Sequence, residues 1–492
     1  MKSAEAIVIG SGIAGLATAV RLQGAGFSTR VFEANDYPGG KVTEIGGQGY
    51  RFDAGPSLFT LPELVEETIL AAGKKVEDYF HYHRHPVACR YFWDDGTELT
   101  AWGDPRHFAE EVESKLGVPA ARTQKHLAHA ARIYRSTTPV FLEKSLHRWK
   151  SYLNRDTLKA ISQMHRLSLF NSLHSVNRKA LQHPKLVQLF DRYATYNGSS
   201  PYLTPGVMSS IPHLEHNLGT FYPRGGMHSI PMSLYRLAQD LGVSFHFNQP
   251  VERILTQAKK VKGIRSQGQD YPASVVVSNA DVWPTFRALL PQEKAPERIL
   301  NQPRSSSALI FYWGMAASFP ELDLHNIFFT EDYQQEFRQI FEEQSVSDDP
   351  TVYVNISSKV EAQDAPPEAE NWFVMVNVPP DTGQDWEALT ARIRQQVLRK
   401  LSARLGRDLA PLIGYEETLD PRKIQQQTAS YQGSLYGASS NNPLAAFLRH
   451  PNFSPRIHGL YFAGGSVHPG GGVPLCLLSA RITASLAIQR QS

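Results

Sequence analysis

An α/β fold that opens on a parallel strand, helix and strand is what this sequence predicts, and three stretches carry the prediction. Residues 5–10 (E-A-I-V-I-G) are a short β-branched run, residues 10–15 (G-S-G-I-A-G) match G-x-G-x-x-G, and residues 16–24 continue at helical spacing. A second strand, Ser28–Phe32, ends in an acid, Glu33, 18 residues after the third glycine. Near the other end, residues 459–465 (G-L-Y-F-A-G-G) read as a buried strand running into glycines. A further glycine loop (466–474) and an apolar helix from 475 to about 488 follow.

Each part of the first stretch has a physical reason. Gly10 makes the tight turn, Gly12 lets backbone approach a pyrophosphate, and Gly15 lets the helix pack against the strand. Ile13 and Ala14 open a helix whose N-terminal N–H groups and dipole favour an anion. Glu33, with Ala34 beside it, is placed to accept from a ribose hydroxyl, and an acid there disfavours a 2′-phosphate. NADP is therefore disfavoured, leaving NAD or FAD. The C-terminal glycine loop opens a second helix N-terminus, which suits a flavin edge that becomes anionic on reduction.

Composition bounds the rest. A chain of 492 residues, 41% hydrophobic and 20% charged, should form two or three domains. Cys89 and Cys476 are far apart and in no C-x-x-C arrangement, so neither a disulfide framework nor a structural metal is expected, in keeping with a reducing cytoplasm. The first strand begins too near Met1 for a signal peptide, and no apolar run is long enough to span a bilayer. The net charge of +3 is uneven: residues 122–192 hold 14 Lys/Arg against Glu143, Asp156 and Asp191, a local net of +11. Such a basic helical segment can be a solvated face, a nucleic-acid patch or a membrane-surface patch.

The stretches R-F-D-A-G-P-S at 51–57, G-T-F-Y-P-R-G-G-M at 219–227, S-N-A-D at 278–281 and A-G-G-S-V-H-P-G-G-G-V-P at 463–474, with Gly39-Gly40-Lys41 just after Glu33, resemble the bacterial carotenoid desaturases of the phytoene desaturase family. C-R-Y-F-W-D-D-G at 89–96, N-G-S-S-P-Y at 197–202, I-P-H-L-E-H-N at 211–217 and L-D-L-H-N-I-F-F at 322–329 are most similar to the branch that 3,4-desaturates 1-hydroxylated carotenoids. The resemblance implies FAD as cofactor, held by Gly10, Gly12, Gly15, Glu33, Gly39, Gly40, Lys41, Gly55, Pro56, Gly465, Val473 and Pro474, with an adenine-side contact at Val251. Ser57, Gly464 and Gly472 lie within the same motifs. Asn279 ends a strand, Val275–Ser278, where open α/β sheets bind ligands, or else serves a turn or cap.

The implied fold is a Rossmann-type FAD-binding domain of the amine oxidase and phytoene desaturase type, with an inserted substrate-binding domain and a helical membrane-associating region. Its FAD-binding parts are expected at 1–81, 216–299 and 426–492. A helical substrate and membrane-associating region is expected at 82–215, with helices at 122–134 and 158–173, and a substrate domain of strands plus a helix at 300–425. Strands carrying Tyr91-Phe92-Trp93 and Phe311-Tyr312-Trp313 either line an apolar tunnel or, taken singly, supply ordinary core aromatics. A lipid-soluble polyene implies docking on a membrane surface, which gives the basic stretch a purpose and excludes nucleic acid as partner. The expected location is cytoplasmic, peripheral to the membrane, with oxygen or a quinone as electron acceptor.

The acid/base candidates are His468, bordering the flavin loop, and Glu215, beside the loop before Gly225-Gly226. No metal-ligand constellation is expected: His81, His83 and His85 alternate as on an exposed strand edge. Four rivals remain at this stage: a phytoene desaturase converting phytoene to lycopene, a flavin amine oxidase, a cis–trans isomerase using reduced flavin, and a non-catalytic carotenoid or flavin carrier.

Overall fold

A computed structural model describes residues 4–148, 168–442 and 449–491. Most of the expected 158–173 helix, and the basic residues Lys150, Arg155, Lys159 and Arg166, lie outside the described residues.

Five parallel strands form the first sheet, in the order Leu460–Phe462, Val275–Ser278, Glu5–Ile9, Ser28–Phe32, Ser244–His246. The first strand shows why a continuous apolar run is needed here. Ala6 and Val8 join a core with the Ile13–Gly24, Ser229–Asp240 and Val473–Gln491 helices, while Ile7 and Ile9 join another core beneath the antiparallel strands Val251–Gln257 and Lys260–Ser266. Both faces of a parallel sheet are covered, so polar alternation is lost.

The second sheet has seven strands in the order Ile413–Leu419, Ser307–Met315, Glu370–Val378, Val352–Ile356, His325–Phe328, Val87–Phe92, Glu98–Trp102. All neighbours are antiparallel except His325–Phe328 with Val87–Phe92. The stretch before 120 thus supplies two strands to this sheet, and helices Pro105–Leu116, Ala120–Thr137, Leu173–Leu181 and Pro184–Asp191 follow. Ile413–Leu419 has Glu416 and Glu417 in its middle, which hides a strand from an apolar reading; it survives as an edge, with Glu416 ion-paired to Arg394.

The two faces of this sheet have different uses. Phe311, Trp313, Val352, Val354, Trp372, Val374 and Val376 pack with Trp386, Ile393, Val397 and Leu401 of the Trp386–Leu405 helix. The alternate residues, Ile310, Tyr312, His325, Ile327, Tyr353, Phe373 and Met375, face a cavity. Of the six aromatics proposed for a tunnel, only Tyr312 lines it. Phe92, Phe311 and Trp313 belong to the helix-facing core, Tyr91 bonds Arg192, and Trp93 donates to Gln188. Strand alternation sorts the triplets: adjacent residues cannot share a face.

Candidate active site

The cavity has a volume of about 1710 Å³ and runs from the glycine loops of the first sheet to the face of the second. That exceeds the roughly 300–1,000 Å³ of a single small-molecule site, so there is room for two ligands end to end.

Its first lobe gathers the predicted dinucleotide residues: Gly10, Gly12, Ile13, Ala14, Glu33, Ala34, Gly39, Gly40, Lys41, Gly55, Pro56, Ser57, Val251, Asn279, Gly464, Gly465, Gly472, Val473 and Pro474 all line it. Gly15 does not. A Cβ on Gly15 would sit 2.1 Å from the carbonyl oxygen of Gly10, so this glycine lets the helix close on the loop and stays beneath the binding surface. Glu33 is held by three donors, Ser11 N at 2.7 Å, Ser11 Oγ at 2.8 Å and Asn35 N at 3.0 Å. Its two carboxylate oxygens keep acceptor capacity for a ribose. Asn279 donates Nδ2 to the Ala463 carbonyl at 2.9 Å, tying two strand ends together, and Asp281 caps the next turn by accepting from Trp283 N. Asn279 therefore lines the cavity and fixes the turn at once.

Two cations, Lys41 partly buried and Arg449 buried, border this lobe. Lys41 donates to the carbonyls of Ser434 (3.2 Å) and Leu435 (3.0 Å), and Arg449, which sequence reading passed over, donates to those of Tyr436 (2.7 Å) and Gly465 (3.3 Å). Among the described residues neither forms an ion pair. Burial lowers both pKa values, that of Arg449 to about 10. Buried positive charge without a counter-ion is costly. Together with a helix N-terminus at each end of the chain, this donor set fits a long anionic cofactor, and FAD meets that description.

The R-F-D-A-G-P-S and Y-P-R-G-G-M stretches meet at one carboxylate. Asp53 accepts from Arg51 Nη2 (2.8 Å), Met227 N (2.9 Å) and Tyr222 Oη (2.9 Å). A Cβ on Gly226 would fall 2.3 Å from Arg51 Nη2, which explains the second glycine of that motif. This knot anchors the strand Tyr50–Ala54 from which Gly55, Pro56 and Ser57 project into the cavity.

The second lobe is mainly apolar, with polar groups at a few stations. Val207, Met208, Ile211, Leu214, Phe141, Leu142 and Leu146 come from the helical side. Glu215 lines the wall and is buried. It accepts from Arg192 Nη2 at 3.0 Å, Tyr193 Oη at 2.8 Å and Tyr196 Oη. Burial would raise its pKa, but Arg192, His216 and the two tyrosines hold it below the usual carboxylate range. It is an ion-paired carboxylate with its lone pairs engaged, an arrangement suited to structure more than to proton abstraction. His468 also lines the cavity; its Nε2 lies 2.8 Å from the Lys144 carbonyl and so donates, and burial lowers its pKa to about 4. It is a neutral imidazole. Of the three alternating histidines, His85 is buried and bonds Asp323 at 2.8 Å, in place of the exposed edge expected, and no group of metal-ligating side chains occurs among the described residues. Cys476 lies near Lys41 with its thiol raised to about 11 by burial.

Sequence reading missed His325. It lines the cavity, its Nδ1 lies 2.8 Å from Tyr353 Oη and 3.2 Å from Asn355 Nδ2, and Tyr353 Oη in turn lies 2.7 Å from Ser57 Oγ. Asn355 Nδ2 also donates to the Leu324 carbonyl, which orients its amide.

The family description "Flavin containing amine oxidoreductase" matches residues 13–488. A 1-hydroxycarotenoid 3,4-desaturase of Flavobacterium sp. is 53% identical over 482 residues, 98% of each chain. A 4,4'-diapolycopene oxygenase of Methylomonas sp. is 32% identical over 489 residues, 97% of this chain and 96% of that one. Solved structures share the fold at low identity. A putrescine oxidase variant superposes with a TM-score of 0.66 at 12% identity over 99% of both chains, and cyclohexylamine oxidase from Brevibacterium oxydans with 0.60 at 16% over 99% of both. The chain belongs to the flavin-containing amine oxidoreductase family, as an FAD-dependent oxidoreductase of its carotenoid desaturase branch.

Proposed function

We propose that this enzyme introduces a carbon–carbon double bond into a carotenoid, by 3,4-desaturation of a 1-hydroxylated end group such as that of 1-hydroxy-γ-carotene. The observation that carries this reading is the second lobe: an elongated apolar channel, ending against the flavin loop, with few polar stations. Identity to the 1-hydroxycarotenoid 3,4-desaturase across 98% of the chain supports it. Bound FAD would supply the two-electron acceptor that desaturation requires. The protein's own contribution is to hold the polyene. Ile310, Ile327, Phe373 and Met375 offer a flat apolar wall, and the helical residues close the opposite side and exclude water. A base is not essential, because the adjacent polyene delocalises the developing cation; the neutral His468 and ion-paired Glu215 accord with that.

The polyene would be taken from an anionic membrane surface. Support comes from the helical side of the channel: Phe170 is 97% exposed, and its neighbour Leu169 packs against the Ile133 and Val207 cluster, as do Phe141 and Met208, which line the channel with Val207. The 122–192 stretch, which contains Phe141, Leu169 and Phe170, carries 14 Lys/Arg against three acids, and each basic side chain is worth roughly 1 kcal/mol near anionic lipid. No helix of the described residues is long and apolar enough to cross a membrane.

The test offers the flavoprotein phytoene, γ-carotene and 1-hydroxy-γ-carotene separately in liposomes. Turnover of the hydroxylated substrate is expected; turnover of phytoene alone would contradict the assignment. Vesicle binding should require anionic lipid and weaken with salt, and equal binding to neutral vesicles at all salt concentrations would overturn the docking surface.

A further inference from the structure

Within that proposed reading, the second sheet carries a donor that no described residue answers. Tyr312, Phe373, Asn355 and His325 form one row across four adjacent strands. Asn355 and Tyr353 fix the imidazole at the end of this row. The Asn355 amide gives one hydrogen to the Leu324 carbonyl and the other to His325 Nδ1, so Nδ1 is an acceptor. Tyr353 Oη lies 2.8 Å from the same nitrogen and shares its single lone pair with the amide, and Ser57 Oγ lies 2.7 Å from Tyr353 Oη. Burial keeps the ring neutral, with its pKa lowered to about 3. Its one hydrogen therefore resides on Nε2, and Nε2 is buried without a hydrogen-bond partner among the described residues. A buried donor left unmade is costly, and a ligand's acceptor would recover that cost.

The chemistry of the end group says what that acceptor is. In a 1-hydroxylated end group three bonds separate the oxygen from C3, a distance of about 4 Å. Whatever recognises the hydroxyl must therefore border the bond being oxidised, and hence the flavin-facing wall. His325 meets this condition through Tyr353 and Ser57, which leads back to Gly55 and Pro56. The Arg192 and Glu215 cluster is a poorer candidate, because its tyrosines already fill the carboxylate.

We propose that His325 Nε2–H hydrogen-bonds the tertiary hydroxyl of the substrate's end group, with Tyr353 as a positioning residue that fixes the tautomer, and that this contact sets the preference for hydroxylated over non-hydroxylated carotenoids.

The experiment compares kcat/KM for 1-hydroxy-γ-carotene and γ-carotene in wild type, His325→Leu, His325→Gln and Tyr353→Phe, each checked for FAD content. His325→Leu should lower kcat/KM for the hydroxylated substrate by about tenfold, mainly through KM, with γ-carotene nearly unaffected. His325→Gln keeps an amide donor and should recover part of the preference. Tyr353→Phe, which leaves the imidazole in place, should reduce it and covers the case in which the leucine variant does not fold. An FAD-loaded His325→Leu enzyme with the wild-type preference, or an equal loss for both substrates, overturns the assignment of His325. A wild type that shows no preference for the hydroxylated substrate overturns the functional reading itself.

Discussion

Arg192 Nη2 lies 3.0 Å from Glu215 Oε1, and both side chains are buried in the wall of the substrate channel. Removing one member leaves an uncompensated charge in a low-dielectric site. Glu215→Ala and Arg192→Met should each destabilise the fold by about 3–5 kcal/mol in urea unfolding. A general base would behave differently, since its loss would abolish turnover at unchanged stability. Glu215→Gln with wild-type unfolding and no activity would restore Glu215 as an acid/base candidate.

A second buried carboxyl sets a pH dependence. Glu336 accepts from Thr351 N (3.0 Å) and Thr351 Oγ1 (2.7 Å), and burial raises its pKa to about 7 against those bonds. Between the unfolded value of about 4.3 and 7, the folded state holds a proton that the unfolded chain has lost. This group therefore makes stability fall as pH rises through that window and level off above it. Glu336→Gln should flatten that segment of the stability profile; an unchanged slope would exclude Glu336 as its source.

The glycine beneath the cofactor makes a separate prediction. Gly15→Ala places a methyl 2.1 Å from the Gly10 carbonyl, so helix and loop must separate. The purified variant should lose bound flavin absorbance while keeping its far-ultraviolet circular dichroism. Full retention of FAD would show that the close approach is dispensable.

The channel wall can be tested by filling it. Met375 and Ile310 are register neighbours that face the cavity, so tryptophan at either position extends into open space. Met375→Trp should keep its flavin and lose at least about tenfold in kcat/KM for the polyene, a value set by about 1.4 kcal/mol of lost fit. Unaltered kinetics would move the polyene to another part of the cavity.

The cofactor lobe was legible because its chemistry is local. A turn, a close approach and a helix start each demand a glycine at a fixed spacing, and Glu33 follows within one βαβ unit. The substrate lobe was not, for two physical reasons. The run S-A-L-I-F-Y-W-G-M at 307–315 is apolar on both faces, one packed on a helix and one facing the channel, so alternation cannot tell Tyr312 from Phe311. The polar stations are assembled from distant strands: Ser57 and Tyr353 stand 296 residues apart, and His325 and Asn355 are 30 apart. The motif L-D-L-H-N-I-F-F contained His325, but nothing nearby marked it as unpartnered. His468 and Glu215 stood out by their position next to motifs, and their hydrogen bonds, to Lys144 and to Arg192 with its tyrosines, are what only the fold reveals.

The most direct test of the central claim is a single anaerobic turnover of 1-hydroxy-γ-carotene in liposomes by the oxidised flavoprotein, followed by flavin absorbance and product mass. A desaturase bleaches its flavin and yields a product lighter by two hydrogens. An unchanged mass, with or without a change in polyene geometry, would contradict the account.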